Sequence, residues 1–267
     1  MRRQLPLWIL MGLLAASVMV SAGCATGSGN ANGEQTYADA AEQRYMEATE
    51  DLEDGNYLEA IRQFNTVRNR FPYSKYAPLS ELRIGDSYFE QEKYASAVEQ
   101  YRNFMQLHPK HPELAYANWR VALAFYKLMP NDWFLLPPAY ERDLAKTRDA
   151  VRELNVFLKR FSDSEYADEA SKLRAQARRR LADHELYVAE FYIDRGNPTA
   201  ASMRLRYLLS NFSGLGLDAQ ALFLLARSYI ELDEMERAKT ALEDLIEFHP
   251  DTELAEEARG YMARYDL

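Results

Sequence analysis

The sequence predicts an all-α protein, a solenoid of about five helix-turn-helix units closed by a carboxy-terminal capping helix. Three observations carry that expectation. The stretch Leu82–Pro109 reads as two short helices whose apolar faces meet. Its spacing of small, aromatic and proline positions returns when the chain is shifted by 37 residues in either direction. The second helices also end on a recurring pair: Phe71-Pro72, His108-Pro109, Phe161-Ser162, Phe212-Ser213 and His249-Pro250.

The stretch Leu82–Pro109 sets the pattern. Ile84, Gly85 and Tyr88 share one helical face, and Ala97, Tyr101 and Phe104 share the face opposite. Small residues at Gly85 and Ala97 let the axes approach to the short end of the usual ~8–10 Å. The rings of Tyr88 and Tyr101 then fill the adjoining hole. Asp86 and Ser87 fall between contact positions, and Pro109 closes the unit. This is the tetratricopeptide pattern, whose period is about 34 residues.

Such a unit cannot bury its apolar face alone, so neighbours are required. Upstream, the matching positions are Ala48, Ala60, Phe64 and Pro72. Downstream, the third unit has Trp119, Ala122 and Phe125, with a late second helix at Ala150, Leu154 and Phe157. The fourth has Ala189, Tyr192, Gly196, Ala201, Leu205 and Leu208. The fifth has Leu225, Ala226, Tyr229, Ala238, Leu242, Leu245 and Pro250.

In chain order, residues 1–23 form a targeting segment outside the fold. Arg2 and Arg3 start it, and Leu5–Val20 is apolar but shorter than the ~20 residues of a spanning helix. Ser21-Ala22-Gly23 then precedes Cys24, the only cysteine, so no intrachain disulfide can form. The segment resembles a bacterial lipoprotein signal that lipidates Cys24, although Ser21 replaces the usual leucine. The other reading is an ordinary secretory signal with a cysteine nearby by chance. Ala25, where an aspartate would favour inner-membrane retention, implies by the same resemblance an outer-membrane destination. Residues 24–35, rich in Gly, Ser and Asn, read as a flexible tether.

Units one to three occupy 36–165. Asp54-Gly55-Asn56 is a turn, Pro72 stops a helix and Ser74 is placed to cap the next. The third unit carries an insertion at 129–146, where Pro130, Pro137 and Pro138 forbid a continuous helix. Its bulky Trp133, Phe134, Leu135 and Leu136 suit a functional loop or a lid over the protein's own core. Units four and five occupy 166–267, preceded by an extra or lengthened helix at Tyr166–His184. Arg178, Arg179 and Arg180 within it read as a solvated face, with docking of an acidic partner as the sharper alternative. Thr252–Tyr265 reads as the capping helix.

The chain carries a formal charge of −9, and loss of Arg2 and Arg3 makes the mature part more acidic still. That argues against nucleic-acid binding, which needs a basic surface. Aromatic residues make up 12%, and the repeat positions use most of them. The sequence has no phosphate loop, no nucleophile elbow and no Cys or His metal set. His108 and His111 are three apart, but Pro109 and Pro112 break the helix that would align them, and His108 shares its repeat position with His249. Neither an enzyme nor a bound cofactor or metal is expected.

Lipidated cysteine, short tether, five units and an insertion in the third together resemble the BamD family, outer-membrane lipoproteins of the β-barrel assembly machinery. The particular matches are Asp54-Gly55-Asn56-Tyr57 with Ala60-Ile61, Arg142-Asp143, and Phe161-Ser162-Asp163-Ser164-Glu165-Tyr166. Val188-Ala189-Glu190-Phe191-Tyr192 with Arg195-Gly196 is the most specific of them. The resemblance implies a non-catalytic scaffold on the periplasmic face of the outer membrane, held by lipid alone. It implies that the carboxy-terminal repeats hold the barrel protein BamA. It also implies that the amino-terminal repeats receive unfolded outer-membrane substrates, with companion lipoproteins alongside. Tyr57, Asn65, Asn69, Tyr94, Asn103 and Trp119 are the candidate substrate groove, and Arg195 and Arg204 the candidate partner face. A pilus-assembly pilotin or a cell-division coordinator is the alternative, although pilotins stay nearer the plain repeat.

Ala189→Leu tests the repeat register. It should overpack the fourth helix pair and cost ~1–3 kcal/mol, seen as a lowered melting temperature.

Overall fold

The computed structural model describes residues 31–130 and 138–267. The described residues form eleven α-helices and one turn of 3-10 helix, with no strand among them. By compactness the chain divides into Met1–Ala40 and Ala41–Leu267. The first is described from Ala31 onward, as the beginning of α1 (Ala31–Glu53). The second is one compact unit, so the expected division between 165 and 166 falls inside it. Cys24 and the leader lie outside the described residues. Helical backbone begins at Ala31, inside the segment expected to be tether.

The paired helices are α1 with α2 (Tyr57–Arg70), α3 (Tyr76–Glu90) with α4 (Tyr94–Leu107), and α5 (Leu114–Lys127) with α6 (Ala145–Arg160). They continue as α7 (Ala167–Asp194) with α8 (Pro198–Phe212), and α9 (Asp218–Glu231) with α10 (Met235–Phe248). The cap is α11 (Glu253–Tyr265), started by the Thr252 hydroxyl, which accepts from the Ala255 N–H at 3.2 Å. From α2 onward each helix packs on the next in the chain. The all-α solenoid expected from the repeats is the observed architecture.

The same backbone solution closes the helix pairs at four turns. Gly55, Glu92, Gly196 and Asp233 each adopt positive φ. The N–H of the following residue reaches back five residues, as in Asn56 to Asp51 O and Lys93 to Tyr88 O. Asn197 to Tyr192 O and Glu234 to Tyr229 O repeat the bond. This Schellman arrangement satisfies orphan carbonyls at a helix end. Between pairs, Phe71, His108, Phe161 and His249 donate to the carbonyl four residues back and accept from the N–H three residues on. The fifth recurring pair departs: Phe212 stays in α8, and Gly214 and Gly216 carry the chain at positive φ to α9. Ser74 does not cap a helix; its hydroxyl donates to Phe71 O, and Lys75 is the N-cap of α3.

The small positions are buried where helices touch. Ala48, Ala60, Ala97, Ala122, Ala189, Ala201, Ala226 and Ala238 are all buried, with Tyr101 and Tyr229. Tyr88, Phe125 and Tyr192 are half-buried at the edges. Asp86 and Ser87 are a correction: both are buried rather than between contacts. Two further expectations concern α7. Of the extra or lengthened helix expected at Tyr166–His184, the lengthened form is observed: it and the first helix of the fourth unit are one 28-residue helix, because no Gly or Pro interrupts it. The arginine triplet is partly exposed and is also bonded within the fold. Arg178 donates to Asn211 O, Arg179 to Leu215 O, and Arg180 to Pro130 O. These charges tie the last turn of α8 and the loop carbonyls of Leu215 and Pro130 to α7.

The flanks of the insertion pack down. Met129 and Leu144 are buried, and the 3-10 turn Ala139–Glu141 lies on α7. There the Tyr140 ring is 5.7 Å from the Tyr187 ring, and the Tyr140 carbonyl meets His184 Nδ1. Trp133, Phe134, Leu135, Leu136 and Pro137 lie outside the described residues.

The closest approach is at Gly85, where an added Cβ would stand 2.6 Å from Tyr101 Cε1. The ring is held at its hydroxyl and cannot swing aside. Gly85→Ala should therefore destabilise by ~1–3 kcal/mol, read as a lower urea midpoint.

Candidate functional site

Asp86 on α3 is only 4% exposed, yet its carboxylate is surrounded by donors from its own helix and from two others. Arg83, one helical turn earlier, donates through Nη1 to Oδ2 at 2.6 Å. The hydroxyls of Tyr101 on α4 and Tyr116 on α5 donate to Oδ1 at 2.6 and 2.8 Å. Arg120 on α5 lies 3.5 Å from Oδ1, donates to the Tyr101 oxygen at 3.0 Å and reaches Glu90 at 2.9 Å. Arg83 Nε donates to the Tyr45 oxygen on α1 at 3.3 Å. Four helices are thus joined through one carboxylate.

Electrostatics follow from burial. Burial first, then the Asp86 carboxylate, pushes the Tyr101 and Tyr116 phenols far above the ordinary tyrosine range. Burial would lower both arginines, but Asp86 and Tyr45 outweigh it at Arg83. At Arg120, Tyr101, Tyr116 and Asp86 do the same. Both guanidiniums stay charged and both phenols stay protonated. Arg120 also lies over the Phe89 ring at 3.8 Å, a cation–π contact.

The network gathers two guanidiniums and two phenols on one buried carboxylate. It offers a rigid polar face: the partly exposed Arg83, the Arg120–Glu90 pair and the Tyr116 ring. Tyr116 continues edge-on to Tyr166 at 6.0 Å, and Tyr166 stacks on Trp119. Such a surface can stack on side chains and hydrogen-bond a peptide backbone.

The six residues expected to form a groove are not brought together. Tyr57 lines a shallow cleft with Gly55, Asn56 and Gln91. Asn65 donates to Ile61 O in its own helix, and Asn69 accepts from Arg68 at 3.5 Å. Tyr94 packs edge-on against Phe89. Asn103 lines a second cleft with Arg68, Glu81 and Gln100. Trp119 is 4% exposed and packs with Phe157, so it belongs to the core of the third unit and not to a groove.

Arg195 and Arg204 lie on either side of the α7–α8 turn. Arg195 caps α7 exposed, with its guanidinium 4.4 Å from the half-exposed Phe191 ring. Arg204 on α8 pairs with the buried Glu185 of α7 at 3.2 Å. Gly196 at positive φ makes the turn, and the Asn197 side chain accepts from the Ala200 N–H. Exposed Met203 adds an apolar element beside Arg204.

The sequence reading missed Arg83, Asp86, Tyr116 and Arg120. A signal was present, since the 37-residue shift that relates the repeats places Arg83 on Arg120.

The family model YfiO, an outer membrane lipoprotein, matches residues 37–245, from α1 through most of α10. The chain belongs to this family. Relatives carry the name outer membrane protein assembly factor BamD, in agreement with the resemblance read from the residues. The Neisseria gonorrhoeae BamD is 27% identical over 224 residues, 80% of this chain and 82% of that protein. The Haemophilus influenzae BamD is 27% identical over 222 residues, 82% of each chain. The Caulobacter vibrioides BamD is 26% identical over 195 residues, 73% of this chain and 61% of that protein. Among solved structures, the TPR2AB-domain:pHSP90-complex of yeast Sti1 aligns with a TM-score of 0.42 and 12% identity, over 85% of this chain and 86% of that one.

In this YfiO/BamD family member the phenols give a pH test. A tyrosine in the unfolded chain ionises near pH ~10, whereas folded Tyr101 and Tyr116 hold their protons above that. Their contribution to stability is complete below about pH 10 and is lost as pH rises through the folded values. Tyr101→Phe should cost ~1–3 kcal/mol at neutral pH and flatten the alkaline fall in unfolding free energy, measured by urea titration at several pH values.

Proposed function

We propose that this protein is a non-catalytic lipoprotein scaffold of the outer-membrane β-barrel assembly complex. It is anchored through Cys24 to the periplasmic face of the outer membrane. It binds a BamA-like barrel protein and unfolded outer-membrane protein substrates, with companion lipoproteins of the complex as further partners. The observation that carries the reading is the match of the family model along residues 37–245, together with relatives that are named assembly factors.

The geometry supports a division of labour. The amino-terminal repeats offer the Arg83, Tyr116 and Arg120 face to an extended peptide. Substrate recognition there rests on backbone hydrogen bonds and stacking, both tolerant of sequence. The α7–α8 turn offers Phe191 and Arg195 with Met203 and Arg204 to the barrel partner. Aromatic and arginine side chains are the types that dominate protein interfaces.

The full chain recovered from detergent extracts should bring a large barrel protein with it. Arg195→Glu, at an exposed cap, should lower that recovery by roughly tenfold without changing the melting temperature. Recovery of peptidoglycan-linked, Tol-type or secretin partners in place of a barrel protein would overturn the reading.

A further inference from the structure

A cleft of about 520 Å³ runs between α6 and α8, away from the residues assigned above. Its apolar surface comes from Val151 and Val156 of α6, Leu181 of α7, and Tyr207 and Phe212 of α8. Val156 is 52% exposed and Tyr207 49% exposed, both large for apolar side chains. The rim on α6 is a stripe, Arg148, Arg152, Asn155 and Lys159, recurring at helical spacing. From first to last it spans about 16 Å at 1.5 Å per residue, three turns of helix.

The sign of the rim is positive in a chain of net −9. Arg152 is balanced by Asp149 at 2.7 Å, and Glu153 also pairs with Arg102 of α4. Among the described residues no carboxylate pairs with Arg148 or Lys159. The neighbouring cleft between α8 and α10 differs, since Asp218 and Asp244 line it. The two clefts thus differ in sign although both are lined by α8.

The lining also bears on the occupant's backbone. Helix walls have used their own N–H and C=O groups. Each of the two amides has one group engaged: Asn155 Oδ1 accepts from Arg174 at 3.5 Å, and Asn211 Nδ2 donates to Tyr207 O at 2.9 Å. The other polar groups of the lining are mostly donors, so an extended peptide would leave its own N–H groups short of acceptors here. A helix satisfies its own backbone and needs only apolar anchors at i, i+3, i+4 and i+7.

We propose that the α6–α8 cleft is a docking site for an acidic amphipathic helix of a partner protein. Its apolar face would sit on Val156 and Tyr207, and its carboxylates would meet Arg148 and Lys159. The site is independent of the peptide face and of the α7–α8 turn, so it does not rest on the function proposed above.

The test uses the full chain in detergent and labelled synthetic helical peptides about three to four turns long. One has leucine at i, i+3, i+4 and i+7 with glutamate elsewhere; a second has lysine for glutamate; a third is scrambled. Fluorescence anisotropy should show saturable binding of the acidic peptide alone, weakening with salt. Val156→Glu, on an exposed position, should weaken it by about tenfold or more. Arg148→Glu with Lys159→Glu should reverse the preference toward the lysine peptide, an outcome that simple unfolding cannot produce. Equal binding of the scrambled peptide, or unchanged binding by both variants, would overturn the proposal. Self-association abolished by Val156→Glu, or binding of anionic vesicles through the same arginine and lysine, would overturn it in favour of a second copy or a lipid surface.

Discussion

Tyr101 joins the two kinds of force that hold the amino-terminal repeats. Its ring lies on the bare backbone of Gly85, so α3 and α4 approach as closely as side chains permit. Its hydroxyl ends on Asp86, one residue further along α3. Apolar contact and a charge-assisted hydrogen bond thus share one side chain. Through Asp86 the same residue is coupled to Tyr45, Tyr116 and Arg120, which places α1 and α5 relative to α3. Buried ion pairs lose hydration as they gain partners. Here each carboxylate oxygen has donors, and that completeness makes the buried charge tolerable.

The carboxy-terminal repeats use a different balance. A large cluster of buried alanine, leucine and aromatic side chains extends from α7 through α11. Polar anchoring is placed at the edges, where Arg178 captures a carbonyl of the last turn of α8 and Arg179 and Arg180 capture loop carbonyls. Phe191 and Met203 stand exposed on this largely apolar stack. In the first three repeats the polar and aromatic groups are gathered around Asp86 instead. The two halves lie in one compact unit and share the same Schellman turns, while the α5–α6 insertion, the long α7 and the Gly214–Gly216 link set parts of the backbone apart.

Much of the fold was legible in the chain. Five helix pairs, a cap at Thr252 and buried small residues at Ala48, Gly85, Ala97, Ala189 and Ala226 follow from period and spacing. Turns were less legible, since glycine marks Gly55 and Gly196 while Glu92 and Asp233 take the same left-handed backbone unannounced. The candidate site was the least legible. Tyr57, Asn65, Asn69, Tyr94 and Asn103 were chosen as plausible residue types, and the fold scatters them over separate clefts and helix surfaces. Trp119 went to the core because a wide apolar ring at a contact position is worth more buried than exposed.

By itself, then, the sequence determined the helical period, the number of repeats, the places where helices touch and the family they belong to. These are properties of residues near one another in the chain, or of one spacing repeated. The tertiary structure alone decided that Asp86 would gather Arg83, Tyr101, Tyr116 and Arg120, and that α6 and α8 would leave a positive cleft between them. Those groups come from different helices, and their meeting depends on how far each helix turns about its axis when the stack packs, which no local spacing encodes.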